Sequence, residues 1–170
     1  MHDSTTLDSR ASHDTLDALK GDHLRVLRAV DMLETLLVAF EASGGGAGVP
    51  RVAVRALMKD LDIGAIEHHE GEELVVIPML RAMGRPDMAE RMGEEHLAIA
   101  QGWAVVRREL EGQIAPAEAE GPASAAPVRT HPIRAAAWRD FAARYRAHVA
   151  LEQNEIFPLL AGEPSPGRGA

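Results

Sequence analysis

This sequence predicts an all-α fold, an antiparallel four-helix bundle running up-down-up-down, on three observations. Ala and Leu dominate a hydrophobic fraction of 46% while aromatics make up only 4%, a balance that favours helices over strands. Four stretches place apolar residues at steps of three and four, the seam of a helix packed in a bundle. Gly- and Pro-rich breaks separate those stretches, and one break is long. At 170 residues the chain reads as one domain with enough length to bury a core.

Residues 1–12 are polar and read as a disordered leader. The first seam runs Leu16, Leu19, His23, Val26, Val30, Leu33, Leu37 and Phe40, and Ser43-Gly44-Gly45-Gly46 stops it. The second helix begins near Pro50, a residue tolerated in a first turn, and its seam is Leu57, Leu61, Ala65, His68, Glu72, Val75 and Met79. Pro78 lacks a backbone donor and should kink or loosen the last turn, before Gly84-Arg85-Pro86 closes the segment. The third helix runs from about Asp87 to Gln113, with Met88 or Ala89, then Met92, His96, Ile99, Trp103, Val106 and Leu110 on its seam. Residues 114–130 are rich in Ala, Pro and Gly without periodicity and read as a long exposed loop. Thr130-His131-Pro132 opens the fourth helix, whose seam is Trp138, Phe141, Tyr145, His148, Glu152, then Glu155 or Ile156, and Leu159. The bundle therefore spans 13–161, and 162–170 is a disordered tail.

Two segments carry the chemistry. Ile66–Leu80 and Ala147–Leu160 both read His-x3-Glu-x5-Pro, so that aligning Pro78 with Pro158 lays His68 over His148 and Glu72 over Glu152. Positions four apart share a helix face, so each copy projects an imidazole and a carboxylate together. Asp22-His23-Leu24 opens the first half much as Glu95-His96-Leu97 opens the second, an internal duplication. Six titratable residues thus fall on core seams: His23, His68, Glu72, His96, His148 and Glu152. Burying an unpaired charge costs several kcal/mol, and a metal centre satisfies all of these groups at once. Zinc takes about four ligands, so six suit two ions, each with two histidines, bridged by the two carboxylates.

The rest of the composition narrows the field. There is no cysteine, which excludes disulfides, iron–sulfur clusters, thiolate zinc and cysteine nucleophiles, and leaves His and carboxylate ligands suited to iron, manganese or zinc. A net charge of -8 argues against a nucleic-acid partner, since phosphate contacts need clustered Lys and Arg. No apolar run approaches the roughly 18 residues of a membrane span, and the acidic start is not a secretory signal, so a cytoplasmic location is expected.

The series His23, His68-x3-Glu72, His96, His148-x3-Glu152 resembles the hemerythrin-like, or HHE cation-binding, family over roughly residues 14–161. The resemblance implies a left-handed four-helix bundle around a non-haem, oxo- or hydroxo-bridged di-iron centre. His23 and His68 would bind one iron, His96 and His148 the other, with Glu72 and Glu152 bridging. Oxygen-carrying members place a second histidine one turn after the third-helix ligand; here that position is Ala100. An open iron position suits binding or reduction of oxygen, peroxide or nitric oxide, and an enzyme of this kind would reduce peroxide or nitric oxide. The alternative is a non-catalytic iron, redox or oxygen sensor, or an iron donor of the iron-centre repair type, although repair members carry a cysteine-containing N-terminal segment that this sequence lacks. Tyr145, one turn before His148, could reach the open position, or could be a core aromatic with its hydroxyl near a carbonyl. His69 is expected at the surface or behind the ligands, and Glu67, Glu70, Glu73, Glu94 and Glu95 on a solvated acidic face.

Overall fold

The computed structural model describes residues 4–42, 51–114 and 133–162. Among these, every element is helical, and they assemble into four bundle helices. The first is α1, Ser4–Ala42. The second is a train of three pieces, α2 (Arg51–Lys59), α3 (Ala65–Leu74) and α4 (Val76–Ala82), with a π-helical segment, Asp60–Gly64, between α2 and α3. The third is α5, Pro86–Ile114. The fourth is α6 (Ala135–Leu151), a second π-helical segment, Glu152–Ile156, and α7 (Phe157–Leu160). The first and third helices each pack against the second and the fourth.

Helix α1 starts at Ser4, upstream of the first seam residue. The physical reason is that residues 4–20 contain neither Gly nor Pro, and nothing halts helix propagation upstream of the seam. Residues 1–3, the loop over 115–130, the helix start at Thr130–Pro132 and the tail beyond Gly162 lie outside the described residues.

Two of the four seams are buried throughout as the periodicity requires, and the fourth is buried as far as Ile156, with Leu159 half-buried. Every residue of the first seam is buried, from Leu16 to Phe40. On α5 the choice falls on Ala89 over Met88, and on the fourth helix Ile156 is buried while Glu155 is exposed. The second seam departs after Glu72. Val76, Ile77 and Leu80 are buried there, whereas Val75 and Met79 are only half-buried. Pro78 explains the shift, because it has no N–H to offer the Leu74 carbonyl. The helix therefore breaks at Val75, whose backbone stands at φ −117°, and α4 restarts one residue out of register.

The two π segments have a counterpart in the seams. Leu57-Leu61-Ala65 and His148-Glu152-Ile156 each take two successive steps of four, more residues than an α-helical turn and its neighbour can hold on one face. An extra residue in the turn absorbs the excess: Ala65 N–H bonds the Asp60 carbonyl and Phe157 N–H the Glu152 carbonyl, both five residues back. The seam stays inside because the backbone bulges.

The apolar core is split in two. One cluster, from Val26 through Leu57 and Trp103 to Trp138 and Val149, fills one end of the bundle. The other, with Leu16, Leu19, Val76, Leu80, Met92 and Phe157, fills the opposite end. Fully buried side chains such as Leu33, Leu57, Leu61 and Leu80 each contribute about 1.5–3 kcal/mol of apolar transfer. On all four helices the polar seam residues come between the two clusters, in a belt.

Candidate metal centre

All six seam residues chosen by periodicity reach that belt. His23, His68, Glu72, His96, His148 and Glu152 are each at most 4% exposed. Their imidazoles pair by ring contact, His23 with His68 at 4.6 Å and His96 with His148 at 4.9 Å between centroids. The carboxylates lie between the two pairs. Glu72 places Oε1 3.3 Å from His68 Nε2 and 3.8 Å from His23 Nε2, and Oε2 3.3 Å from His96 Nε2. Glu152 places Oε2 2.9 Å from His23 Nε2 and Oε1 3.0 Å from His148 Nε2. Each carboxylate therefore turns one oxygen to each side, which is what a bridging ligand needs.

None of these inward atoms is satisfied by the protein. The Nε2 atoms of His23, His68, His96 and His148 and all the oxygens of Glu72 and Glu152 are buried without a hydrogen bond among the described residues. A buried, unsatisfied polar atom costs about 1–3 kcal/mol, so a cluster of them converging on one space is sustainable only if something else fills it. Bare imidazole nitrogens and carboxylate oxygens are the donor set of iron, manganese and zinc, and the residues fit a pair of such cations. Two groups can each hold one: His23, His68, Glu72 and Glu152 on one side, and His69, Glu72, His96 and His148 on the other.

His69 is the member that sequence reasoning placed elsewhere. It is half-buried, stacks on His96 at 4.2 Å with the rings 9° from parallel, and lies 5.4 Å from the His148 ring. The signal was present in the sequence. Ala65, His68, His69 and Glu72 form an i, i+3, i+4, i+7 stripe, the full width of a helix face turned to a core. A seam drawn one residue wide counts His68 and leaves out its neighbour. Tyr145 is fully buried, and its hydroxyl hydrogen bonds Nε2 of His69 at 3.1 Å.

The outer faces of the belt imidazoles are also held. Nδ1–H of His96 donates to Glu73 Oε1 at 3.2 Å, and Nδ1–H of His148 donates to Glu95 Oε2 at 3.1 Å. A proton fixed at Nδ1 leaves the Nε2 lone pair bare and aimed inward. Glu73 and Glu95 are thus more than a solvated acidic face. The Gln153 amide lies 3.3 Å from His23 Nδ1, and turned with its oxygen to the ring it does the same for that side. His68 Nδ1 has no such partner among the described residues.

Charge and burial oppose each other in this belt. Burial alone would push the His23 imidazole down, but Glu152 and Glu72 beside it lift it to about 9. His148 is raised in the same way, against burial, by Glu152 and then Glu95. Glu152 is held below the usual carboxylate range because His148 and His23 outweigh its burial. His68 is lowered, chiefly by burial, and His69 falls to about 2 through burial and the neighbouring His96 and His148. His69 is accordingly a neutral imidazole with a lone pair to give.

A third buried carboxylate stands apart. Glu109 on α5 accepts from Trp138 Nε1–H at 2.8 Å, Arg134 Nε–H at 2.7 Å and the Arg134 backbone N–H at 3.0 Å, fastening the start of α6. It lies beyond the belt and adds nothing to the cation groups. No described helix is long and apolar enough to cross a membrane.

No curated protein and no solved structure matches the chain. The hemerythrin HHE cation binding domain matches residues 14–160, a span that reaches all four helices and holds every residue of the belt. With that match over nearly the whole chain, and a paired His/Glu cluster of the kind a cation-binding bundle requires, this protein belongs to the hemerythrin HHE cation-binding family.

Proposed function

We propose that the protein is a non-haem di-iron protein that binds or reduces a small oxidant, with the helices running alternately up and down around the iron pair. The observation that carries this reading is the convergence of unsatisfied Nε2 and carboxylate atoms from all four helices on one buried space. His23 and His68 would hold one ion and His96 and His148 the other, with Glu72 and Glu152 between them; His69 completes the second side. Bound iron supplies one- and two-electron chemistry and Lewis acidity. The protein's own part is to keep the pair dry between two apolar clusters and to fix the ring tautomers through Glu73 and Glu95.

The test is direct. Protein reconstituted with ferrous salt and exposed to air should hold close to two iron ions per chain and show the near-ultraviolet absorption of a bridged ferric pair. Glu72→Ala should lose both. A chain that takes up less than about one iron and shows no such band sinks the reading. Peroxide and nitric oxide assays then separate an oxidant-reducing protein, which turns over, from a sensor or iron donor, which loads metal without turnover.

A further inference from the structure

Next to the metal cluster, a cleft of about 320 Å³ runs between the second, third and fourth helices. Its inner end is the hydrogen-bonded pair His69 and Tyr145, so one wall of the cleft is also a member of the second cation group. Its sides are Ile66, Ile99, Phe141 and the Trp103 ring. Ala100 and Ala104, both exposed, border it on the third helix and leave its mouth open with methyl groups alone. The charges at the far end are already engaged. Arg107 pairs with Asp62 at 2.9 Å, and Asp62 also accepts Trp103 Nε1–H at 2.8 Å.

Size decides what such a space is for. Oxygen, nitric oxide or hydrogen peroxide needs only about the 30 Å³ that a water molecule occupies in the liquid. The cleft is far larger, and it falls at the lower end of organic ligand pockets, about 300–1,000 Å³, which are apolar with a few convergent polar groups. A neutral, apolar space ending in a phenol and an imidazole beside a redox metal site suits a molecule with a carbon body and one oxidising end.

We propose that the cleft binds an organic hydroperoxide, its carbon body against Ile66, Ile99 and Phe141 and its peroxy group toward Tyr145 and His69. The inference rests on the di-iron reading above and gives its oxidant a chemical class. In the reaction the O–O bond breaks and the hydroperoxide takes up two electrons and two protons, leaving an alcohol and water. An iron pair held by the belt residues would supply the two electrons, a small-molecule reductant of the dithionite or ascorbate class would restore them, and solvent would supply the two protons. Tyr145 and His69 orient the peroxy oxygen by hydrogen bonding.

The test uses the full, iron-loaded chain, reduced and then mixed with cumene hydroperoxide or with hydrogen peroxide. Oxidation of the iron is followed optically, and calorimetry follows binding of 2-phenyl-2-propanol, the unreactive alcohol product. Cumene hydroperoxide should react at least tenfold faster than hydrogen peroxide, and the alcohol should bind. Ala104→Phe, at an exposed position where folding is not at stake, should lower both the alcohol affinity and the ratio of the two rate constants at least tenfold. Ala100→Leu should do the same from the neighbouring turn. Cumene hydroperoxide reacting no faster than hydrogen peroxide, or both variants leaving the ratio and the alcohol binding unchanged, overturns the assignment while the oxidant reading stands. Failure of both peroxides to oxidise the iron overturns the two together.

Discussion

At the scale of single residues, the outer partners of the belt imidazoles are the most exposed to test. Glu73 and Glu95 accept from Nδ1–H of His96 and His148, and so hold the tautomer that leaves each Nε2 bare. Glu73→Gln and Glu95→Gln should each weaken metal binding on that side by about 10–100-fold, as read by titration against a competing chelator, while leaving the helical content unchanged. The pair shows where sequence reading runs out. His23, His68, Glu72, His96, His148 and Glu152 were legible because each breaks an apolar seam. Glu73 and Glu95 sit off the seam, among other surface acids, and only the rotation of a neighbouring helix brings them to a ring nitrogen. His69 lies between these cases, being off a narrow seam but on the broad stripe that a core-facing helix presents.

At the scale of elements, helix number and seams could be read from the sequence, whereas the internal breaks of the second and fourth helices could be read only in part. Pro78 announces a loosened turn, but where the chain yields depends on which carbonyl loses its donor, and that places the break at Val75. Successive steps of four hint at the π segments without stating that the backbone will bulge rather than the seam rotate away. The fourth helix has its own anchor in Glu109, for which no seam argument allows. Glu109→Gln should cost about 1–3 kcal/mol at neutral pH, measured by urea unfolding, since Arg134 and Trp138 lose a charged acceptor. Burial would raise the Glu109 carboxyl, but Arg134 and Trp138 hold it below its ordinary 4.5. Its stabilisation is therefore complete above that ordinary value and is lost as pH falls through the lower folded one. Unfolding midpoints of the wild type should drop over that acid range more steeply than those of Glu109→Gln.

At the scale of the whole molecule, metal and fold are linked through the belt. A cation bound only by the native state at 100 times its dissociation constant adds about 2.7 kcal/mol, which for a chain of this size raises the melting temperature by about 5–10 °C. Removing the bound cation with a chelator should reverse that shift, and re-adding it should restore it. Surface ion pairs offer no substitute. Arg146 with Asp31 and Glu34, and Arg139 with Glu41, tie the fourth helix to the first, but exposed pairs of this kind contribute at most about 1 kcal/mol each.

The division of the apolar core into two clusters bears on how the chain melts. Each end of the bundle can hold together on its own hydrophobic contacts, and in the apo chain what lies between them is a layer of mutually unsatisfied polar atoms. Such a layer transmits little cooperativity, whereas ions bound to all four helices at mid-height would lock the ends into one unit. Calorimetry should therefore give a van't Hoff enthalpy well below the calorimetric one for apo protein and equal to it once iron is loaded. Amide exchange should show α4 and α7 opening separately from the Leu33–Leu57 end only in the apo form. Metal loading would then decide whether this chain unfolds as two half-cores or as one.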